Sequence, residues 1–277
     1  MLADIHLHST ASDGMDTPAR IAFLAREAGI GLISLTDHDT TGGVRECSEA
    51  CRGYGIRFLP GIEISAGEGG NIHVLGYNID PSRLQLELDR IRDDRTERME
   101  KMVSLLKKAG MEVSMEDVRS IAGSAPLCRP HLALALVRKG YVLSVKEAFD
   151  RYIGAGRPFL VDRRRFSFAQ AADLIHASGG LAVIAHPLLI KVERRMLTQY
   201  LSSLIDMGAD GIEAWHSSHT LSDALELDAF ARRRSMLVTG GSDYHGAMGT
   251  IRIGDGQRGR TRMDEDIRDL LSRAGIL

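Results

Sequence analysis

His6 and His8 are two residues apart, and they open a series of imidazoles and carboxylates that recur at the ends of apolar runs. On an extended chain that spacing sends both imidazoles to one side and Ile5 and Leu7 to the other. Asp13 follows in the turn-rich stretch Ser9 to Gly14. Asp37 and His38 end the run Gly31 to Thr36, Glu63 follows Pro60-Gly61-Ile62, and His73 lies inside the next apolar run. His186 ends Leu181 to Ala185 ahead of Pro187, and Asp243 and His245 follow Val238 to Ser242. A single histidine at a strand end is more commonly a hydrogen-bonded loop residue than a ligand. Six of the ten histidines share that placement with Asp13, Glu63 and Asp243, and packing asks for no such pattern. Metal coordination does. Imidazoles and carboxylates without thiolate suit manganese, iron or zinc. Glu63 is the candidate bridge between two ions, because a carboxylate has two oxygens to share. Closely spaced divalent ions hydrolyse phosphate esters by generating hydroxide from bound water and by neutralising charge on the attacking and leaving oxygens.

The elements that must position these residues read as alternating strands and helices. Ile5 to His8 is an expected strand, and Thr17 caps a helix with Pro18 in its first turn and Gly29 at its stop. Further strands are expected at Gly31 to Thr36, Arg57 to Leu59 and Asn71 to Gly76, with a helix over Thr41 to Tyr54. From about Asp80 the chain turns helical and strongly charged, through Leu84 to Ala109, Met115 to Ile121, Arg129 to Lys139 and Val145 to Tyr152. The strand–helix rhythm resumes near Ala169, with strands at Leu181 to Ala185, Gly211 to Trp215 and Leu237 to Thr239. This pattern predicts an α/β barrel, residues 1–79 and 157–277, interrupted by a helical insertion domain, residues 80–156. The carboxyl ends of parallel strands meet on one face, so nine side chains are expected at one mouth: His6, His8, Asp13, His38, Glu63, His73, His186, Asp243 and His245. Asp37 would lie beside them as a candidate catalytic residue.

Composition narrows the class. With 44% hydrophobic residues, 277 residues suffice for a packed core without disulfide staples, and a net charge of −2 gives no reason to expect sequence-blind nucleic-acid binding. Cys47 and Cys51, four apart on an expected helix, share a face and read as small buried hydrophobes. The three cysteines, and a start without a basic segment followed by an apolar stretch, point to a reducing cytoplasm. No apolar run reaches the roughly 20 residues of a membrane span. His176, inside an expected helix, reads as a surface residue.

Asp4-Ile5-His6-Leu7-His8-Ser9, Thr36-Asp37-His38-Asp39, Pro60-Gly61-Ile62-Glu63, His73-Val74-Leu75-Gly76-Tyr77, Ala185-His186-Pro187 and Gly241-Ser242-Asp243-Tyr244-His245 resemble the successive motifs of the polymerase and histidinol phosphatase (PHP) superfamily. The resemblance implies a distorted (β/α)7 barrel carrying a trinuclear site. It also implies a ligand distribution. One ion is held by His6, His8, Glu63 and Asp243, a second by Asp13, His38 and His245, and a third by Glu63, His73 and His186. Asp13 stands where several family members carry histidine, which implies weaker or shifted metal preference there. The Ser9 to Gly14 loop and the insertion after Gly76 resemble the subgroup of 3',5'-nucleoside bisphosphate phosphatases and 5'-to-3' exoribonucleases.

Specificity is expected from four further residues. Arg129-Pro130-His131 opens a helix, where a guanidinium and free backbone amides form a phosphate seat, and the same subgroup has a similar stretch; Arg129 and His131 are candidate substrate contacts. His216 and His219 follow the strand ending at Trp215, placed to orient substrate phosphate or to protonate the leaving oxygen. Arg163-Arg164-Arg165 reads as a solvated basic face, with attraction of a second phosphate or an RNA backbone as the functional reading. Aromatics make up only 5% of the chain, so no stacking platform for long single strands is visible.

The expected function is a cytoplasmic phosphoric ester hydrolase that removes the 3'-phosphate of 3',5'-nucleoside bisphosphates, using metal-bound hydroxide. Its cofactors would be two or three divalent ions, Mn2+ first, with Fe2+ or Zn2+ as alternatives, and Arg129, His216 and Asp37 would be catalytic. Its partner would be a small nucleotide or short RNA, with no membrane and no obligate protein. The alternatives are a 5'-to-3' exoribonuclease on short 5'-phosphorylated RNA, a histidinol phosphatase, and a non-catalytic PHP module.

Overall fold

The Thr17 side chain accepts a hydrogen bond from the Arg20 amide and Pro18 fills the first turn, so helix α1 (Pro18–Glu27) starts where the sequence places it. A computed structural model describes residues 2–67, 72–123, 125–161, 166–246, 250–257 and 263–276. The basic run Arg163 to Arg165 lies outside the described residues. Before α1 comes β1 (Ala3–Asp4); after it come β2 (Leu32–Leu35), α2 (Val44–Tyr54), β3 (Arg57–Ala66), β4 (Ile72–Tyr77) and α3 (Pro81–Lys108). Then follow α4 (Met115–Ala122), α5 (Arg129–Arg138), α6 (Val145–Ala148) with a π turn at Phe149–Ile153, and α7 (Phe168–Ala177). The chain ends with β5 (Leu181–Ile184), α8 (Leu197–Asp206), β6 (Gly211–His216), α9 (Leu221–Arg232), β7 (Leu237–Gly241) and α10 (Met263–Arg273). Among the described residues no helix is long and apolar enough to cross a membrane.

The seven strands pair in sequence order, and the ring is nearly closed by a parallel bridge between Leu7 and Tyr244. The His8 amide donates to the Tyr244 carbonyl at 3.0 Å and the Asp243 amide to the His6 carbonyl at 2.9 Å. Side chains alternate along β2. Leu32 joins the cluster that includes Ala3, Leu59, Tyr77 and Leu237, which α10 seals with Ile267, Leu270 and Leu271. Ile33 and Leu35 face the other way, onto Ile21 and Ala22 of α1 and Cys47 and Cys51 of α2. Both cysteines are free and buried, as their spacing on one helix face predicts.

Two details depart from the sequence reading. Regular pairing of the first strand stops at Asp4 instead of running to His8. Beyond it the Leu7 amide donates to the Thr36 hydroxyl at 3.1 Å, a side-chain acceptor in place of a ladder carbonyl. The second departure is the direction of β4, which runs antiparallel to both β3 and β5. Five residues separate β3 from β4, too few for the helical crossover a parallel neighbour needs. His73 therefore reaches the mouth from the start of its strand, opposite Ser65 near the end of β3.

The chain divides into two compact units, Met1–Gln85 with Arg165–Leu277, and Leu86–Arg164. The second unit is helical and has its own core, built on Met99, Met102, Leu106, Leu132, Leu136 and Ile153. In it α4 starts with a capping box, Ser114 accepting from the Asp117 amide while the Asp117 carboxylate accepts from Ser114.

A histidine and carboxylate centre at the barrel mouth

Glu63, wholly buried near the middle of β3, is the centre of the site. Its Oε2 lies 3.3 Å from His6 Nε2, 3.1 Å from His8 Nε2 and 3.1 Å from His38 Nδ1. Its Oε1 lies 2.8 Å from His73 Nδ1 and 3.0 Å from His186 Nε2. Asp243 adds a second carboxylate, with Oδ1 at 3.4 Å from His6 Nε2 and 3.1 Å from His8 Nε2. Asp13 adds a third, at 3.4 Å from His245 Nε2 and 4.0 Å from both His8 Nδ1 and His38 Nε2. All nine donors expected at one mouth thus meet there.

Local backbone explains the convergence. Gly241, last residue of β7, passes against His6, and a methyl at that position would run into the His6 Cβ. Asp243 and His186 hold left-handed backbone, with φ of 57° and 24°, a conformation that costs of order 1–3 kcal/mol in a side-chain-bearing residue. Asp4 accepts from the amides of Ser242 (2.9 Å) and Gly254 (2.7 Å), and so ties the end of β1 to the segments after β7.

The donor atoms form overlapping groups, each with its ligand atoms within 4.8 Å of one another: His6, His8, Glu63 and Asp243; His8, Asp13, His38 and His245; and His38, Glu63 and His73. The hydrogen bonding fits cations. His8 Nδ1 and Nε2, His38 Nδ1 and His186 Nδ1 are buried and make no hydrogen bond. Buried nitrogens pay a desolvation cost when left unpaired. Of these, His8 Nε2 and His38 Nδ1 lie 3.1 Å from carboxylate oxygens but out of hydrogen-bond alignment, as ligands grouped around an ion do. His245 Nδ1 donates to the Asp243 carbonyl at 2.9 Å, which leaves its Nε2 lone pair facing Asp13.

Electrostatics follow from this crowding. Burial alone would raise the Glu63 carboxyl, but His38, His73 and His6 outweigh it and hold the group well below its ordinary value. Burial would lower His8, yet the Asp243 and Glu63 carboxylates beside it push it up to about 10. His38 goes the other way, driven down to about 4 by burial. Burial opposes ionisation of Asp13 and Asp243 too, but their neighbouring imidazoles keep both carboxyls far below the usual range. Divalent ions would take the place of the protons that otherwise balance these acids.

Asp37 is turned into the loop that carries Asp13, accepting from the Ser9 amide (2.7 Å), the Ser9 hydroxyl (2.8 Å) and the Ser12 hydroxyl (2.6 Å). The serines occupy both its oxygens. His216 ends β6 with Nε2 at 3.4 Å from Asp243 Oδ2, and His219 Nδ1 donates to the Ala214 carbonyl at 2.9 Å. Arg129 begins α5 in the helical unit with its guanidinium 5.4 Å over the Phe149 ring, and His131 is buried beside Cys128. His176 pairs with Asp210 at 2.8 Å on the surface of the barrel unit. Sequence reading passed over Glu213, wholly buried in β6. The available signal was an acid inside the apolar run Gly211 to Trp215, where an unpartnered carboxylate is rarely tolerated.

Comparison with known proteins bears on this geometry. The PHP domain family matches residues 4–210. A 3',5'-nucleoside bisphosphate phosphatase from Chromobacterium violaceum is 34% identical, covering 87% of this chain and 86% of its own. A 5'-3' exoribonuclease from Haemophilus influenzae is 32% identical, covering 91% of this chain and 92% of its own. A solved structure from Bifidobacterium adolescentis, assigned as a metal-dependent phosphoesterase, superposes with a TM-score of 0.84 at 30% identity, over 98% of this chain and 96% of that one.

Proposed function

The chain belongs to the PHP domain family and is a metal-dependent phosphoesterase, and from that premise we propose that it hydrolyses the 3'-phosphate of 3',5'-nucleoside bisphosphates. The single observation behind this reading is Glu63 with five imidazole nitrogens within 3.3 Å of its two oxygens. The likeness to a bisphosphate phosphatase supplies the substrate.

We assign one ion to His6, His8, Glu63 and Asp243, a second to Asp13, His38 and His245, and a third to Glu63, His73 and His186, with Mn2+ as the first candidate and Fe2+ or Zn2+ behind it. Bound there, the ions supply an activated water and charge neutralisation for the phosphoryl group. The protein's own part is to gather the imidazole nitrogens around Glu63 and to keep the acids ionised, the ions displacing the protons the imidazoles would otherwise carry. Arg129 and His131 are candidate contacts for substrate phosphate, and His219 carries a buried, unpartnered Nε2 as a further polar group. We place the enzyme in the cytoplasm.

A second reading has its own support, the likeness to a 5'-3' exoribonuclease over nearly the same span. The test is phosphate release from adenosine 3',5'-bisphosphate in Mn2+, Fe2+ or Zn2+, beside a dinucleotide, a longer 5'-phosphorylated RNA and histidinol phosphate. Turnover of the bisphosphate, falling about a thousandfold or more in Glu63→Ala, is the expected result. No release with any of the metals ends the bisphosphate reading. Faster turnover of the RNA, or of histidinol phosphate, moves the assignment to that substrate. A protein that takes up no metal at all is an inert module.

A further inference from the structure

Glu213 has no solvent exposure and sits between Ile212 and Ala214 of β6, themselves fully buried. A carboxylate there needs both oxygens occupied, and they are. Oε1 accepts from His6 Nδ1 at 2.9 Å, and Oε2 accepts from the backbone amide of His186 at 2.7 Å. We propose that Glu213 is a positioning residue that sets the tautomer of His6 and the backbone of His186, and so couples the two sides of the metal centre. The proposal rests on the metal-centre reading above.

The His6 side follows from hydrogen-bond chemistry. A carboxylate only accepts, so the His6 proton in its neutral form is on Nδ1 and the Nε2 lone pair is free. Nε2 is the atom facing Glu63 Oε2 and Asp243 Oδ1. Metal-ligating histidines generally donate their second nitrogen to an acceptor of this kind, which fixes the ring and raises its basicity.

The His186 side follows from backbone strain. At φ 24° and ψ 63° this residue occupies a region that L side chains avoid, and the bond from its amide to Glu213 helps hold it there. That conformation presents His186 Nε2 to Glu63 Oε1. One carboxylate therefore holds two imidazoles that flank opposite oxygens of Glu63.

His6, Glu213 and His216 also bring their donor atoms within 4.8 Å of one another, as an ion site of their own would. The hydrogen bonds argue against an ion there. The Ser218 amide donates to His216 Nδ1 at 3.1 Å, so the His216 proton is on Nε2 and neither nitrogen has a lone pair to offer. His6 Nδ1 is likewise spent on Glu213. The grouping has a structural origin in the β-bulge between Glu213 and Trp215. Three residues apart, Glu213 and His216 would face opposite sides of a regular strand, and the extra residue turns them to the same side.

The test compares Mn2+ affinity and stoichiometry in the wild-type chain, Glu213→Gln, Glu213→Ala and Trp215→Phe. Trp215→Phe loses the bond from Trp215 Nε1 to Asp228 on the same strand and serves as the purely structural control. Glu213→Gln keeps the shape but sets an amide NH2 group against the His186 N–H. Its Mn2+ binding should weaken 10- to 100-fold, with full stoichiometry restored at saturation, while Trp215→Phe binds as wild type. In 15N-histidine spectra of the Zn2+-loaded protein, His6 Nδ1–H should be hydrogen-bonded and slow to exchange in the wild type and exchange faster with water in Glu213→Ala. Wild-type affinity in Glu213→Gln overturns the proposal. So does the permanent loss of one ion with the others unaffected, which would make Glu213 a ligand, and so does failure of Glu213→Gln to fold. A wild-type chain that binds no Mn2+ removes the underlying functional reading instead.

Discussion

The helical unit and the barrel unit handle charge in opposite ways. In the helical unit, ion pairs lie on the surface at helical spacing, such as Lys101 with Glu97 and Arg151 with Glu147, each at 2.6 Å. Pairs of that kind contribute little, about 0–1 kcal/mol each, and the core beneath is apolar. In the barrel unit Glu63, Glu213, His6 and His8 are buried outright. Charge placed there is tolerated only because each acid is surrounded by imidazoles, and the balance is completed by ions. The helical unit is held by interchangeable packing, whereas the barrel mouth stores a charge arrangement that depends on every member.

Metal removal should separate the two units most sharply. With ions at about a thousand times their dissociation constant, binding adds about 4 kcal/mol to folding. None of the nine donors lies in residues 86–164, so chelation should accelerate amide exchange around His8, Glu63 and Asp243 and leave α4 and α5 unchanged. Hydrogen exchange read by mass spectrometry checks this. Equal acceleration in both units would break the contrast.

Leu136→Ala reverses the experiment. This side chain is fully buried in the helical core, and its truncation should cost about 2–5 kcal/mol in urea unfolding of that unit. Metal content per chain should stay at the wild-type value. A variant that also loses its ions would show that the mouth depends on helical packing.

The sequence carried these two regions through different signals. The helices were legible from apolar spacing and from Thr17 and Pro18 at the start of α1, because helix formation is decided by neighbours in the chain. The donors were legible by type, since histidines and acids at the ends of apolar runs have few other reasons to recur. What stayed hidden depended on distant partners. His73 lies at the start of a strand whose reversed direction only the pairing reveals. Asp37 has the residue type of a ligand, yet Ser9 and Ser12 claim its oxygens. Glu213 stood out as an acid in an apolar run, but the bulge that puts it on one side with His216 is announced by no local pattern.

The smallest effect tests whether charge in the helical unit is as local as its geometry implies. Ser114→Ala removes the cap of α4 and should cost about 1 kcal/mol at neutral pH. Part of that cost is tied to Asp117, whose carboxyl is lowered to about 2 by the Ser114 side chain and amide, with Lys139 at 3.0 Å helping. A carboxyl with a depressed folded value stabilises the fold fully above its unfolded value of 3.8, and the contribution fades as pH falls toward 2. The stability difference between wild type and Ser114→Ala should therefore be constant from neutral pH down to about 4 and shrink below it, as read from urea midpoints across that range. A difference that holds its size at pH 2 would mean that Asp117 takes no part in the cap, and that the carboxylate half of the capping box stabilises nothing.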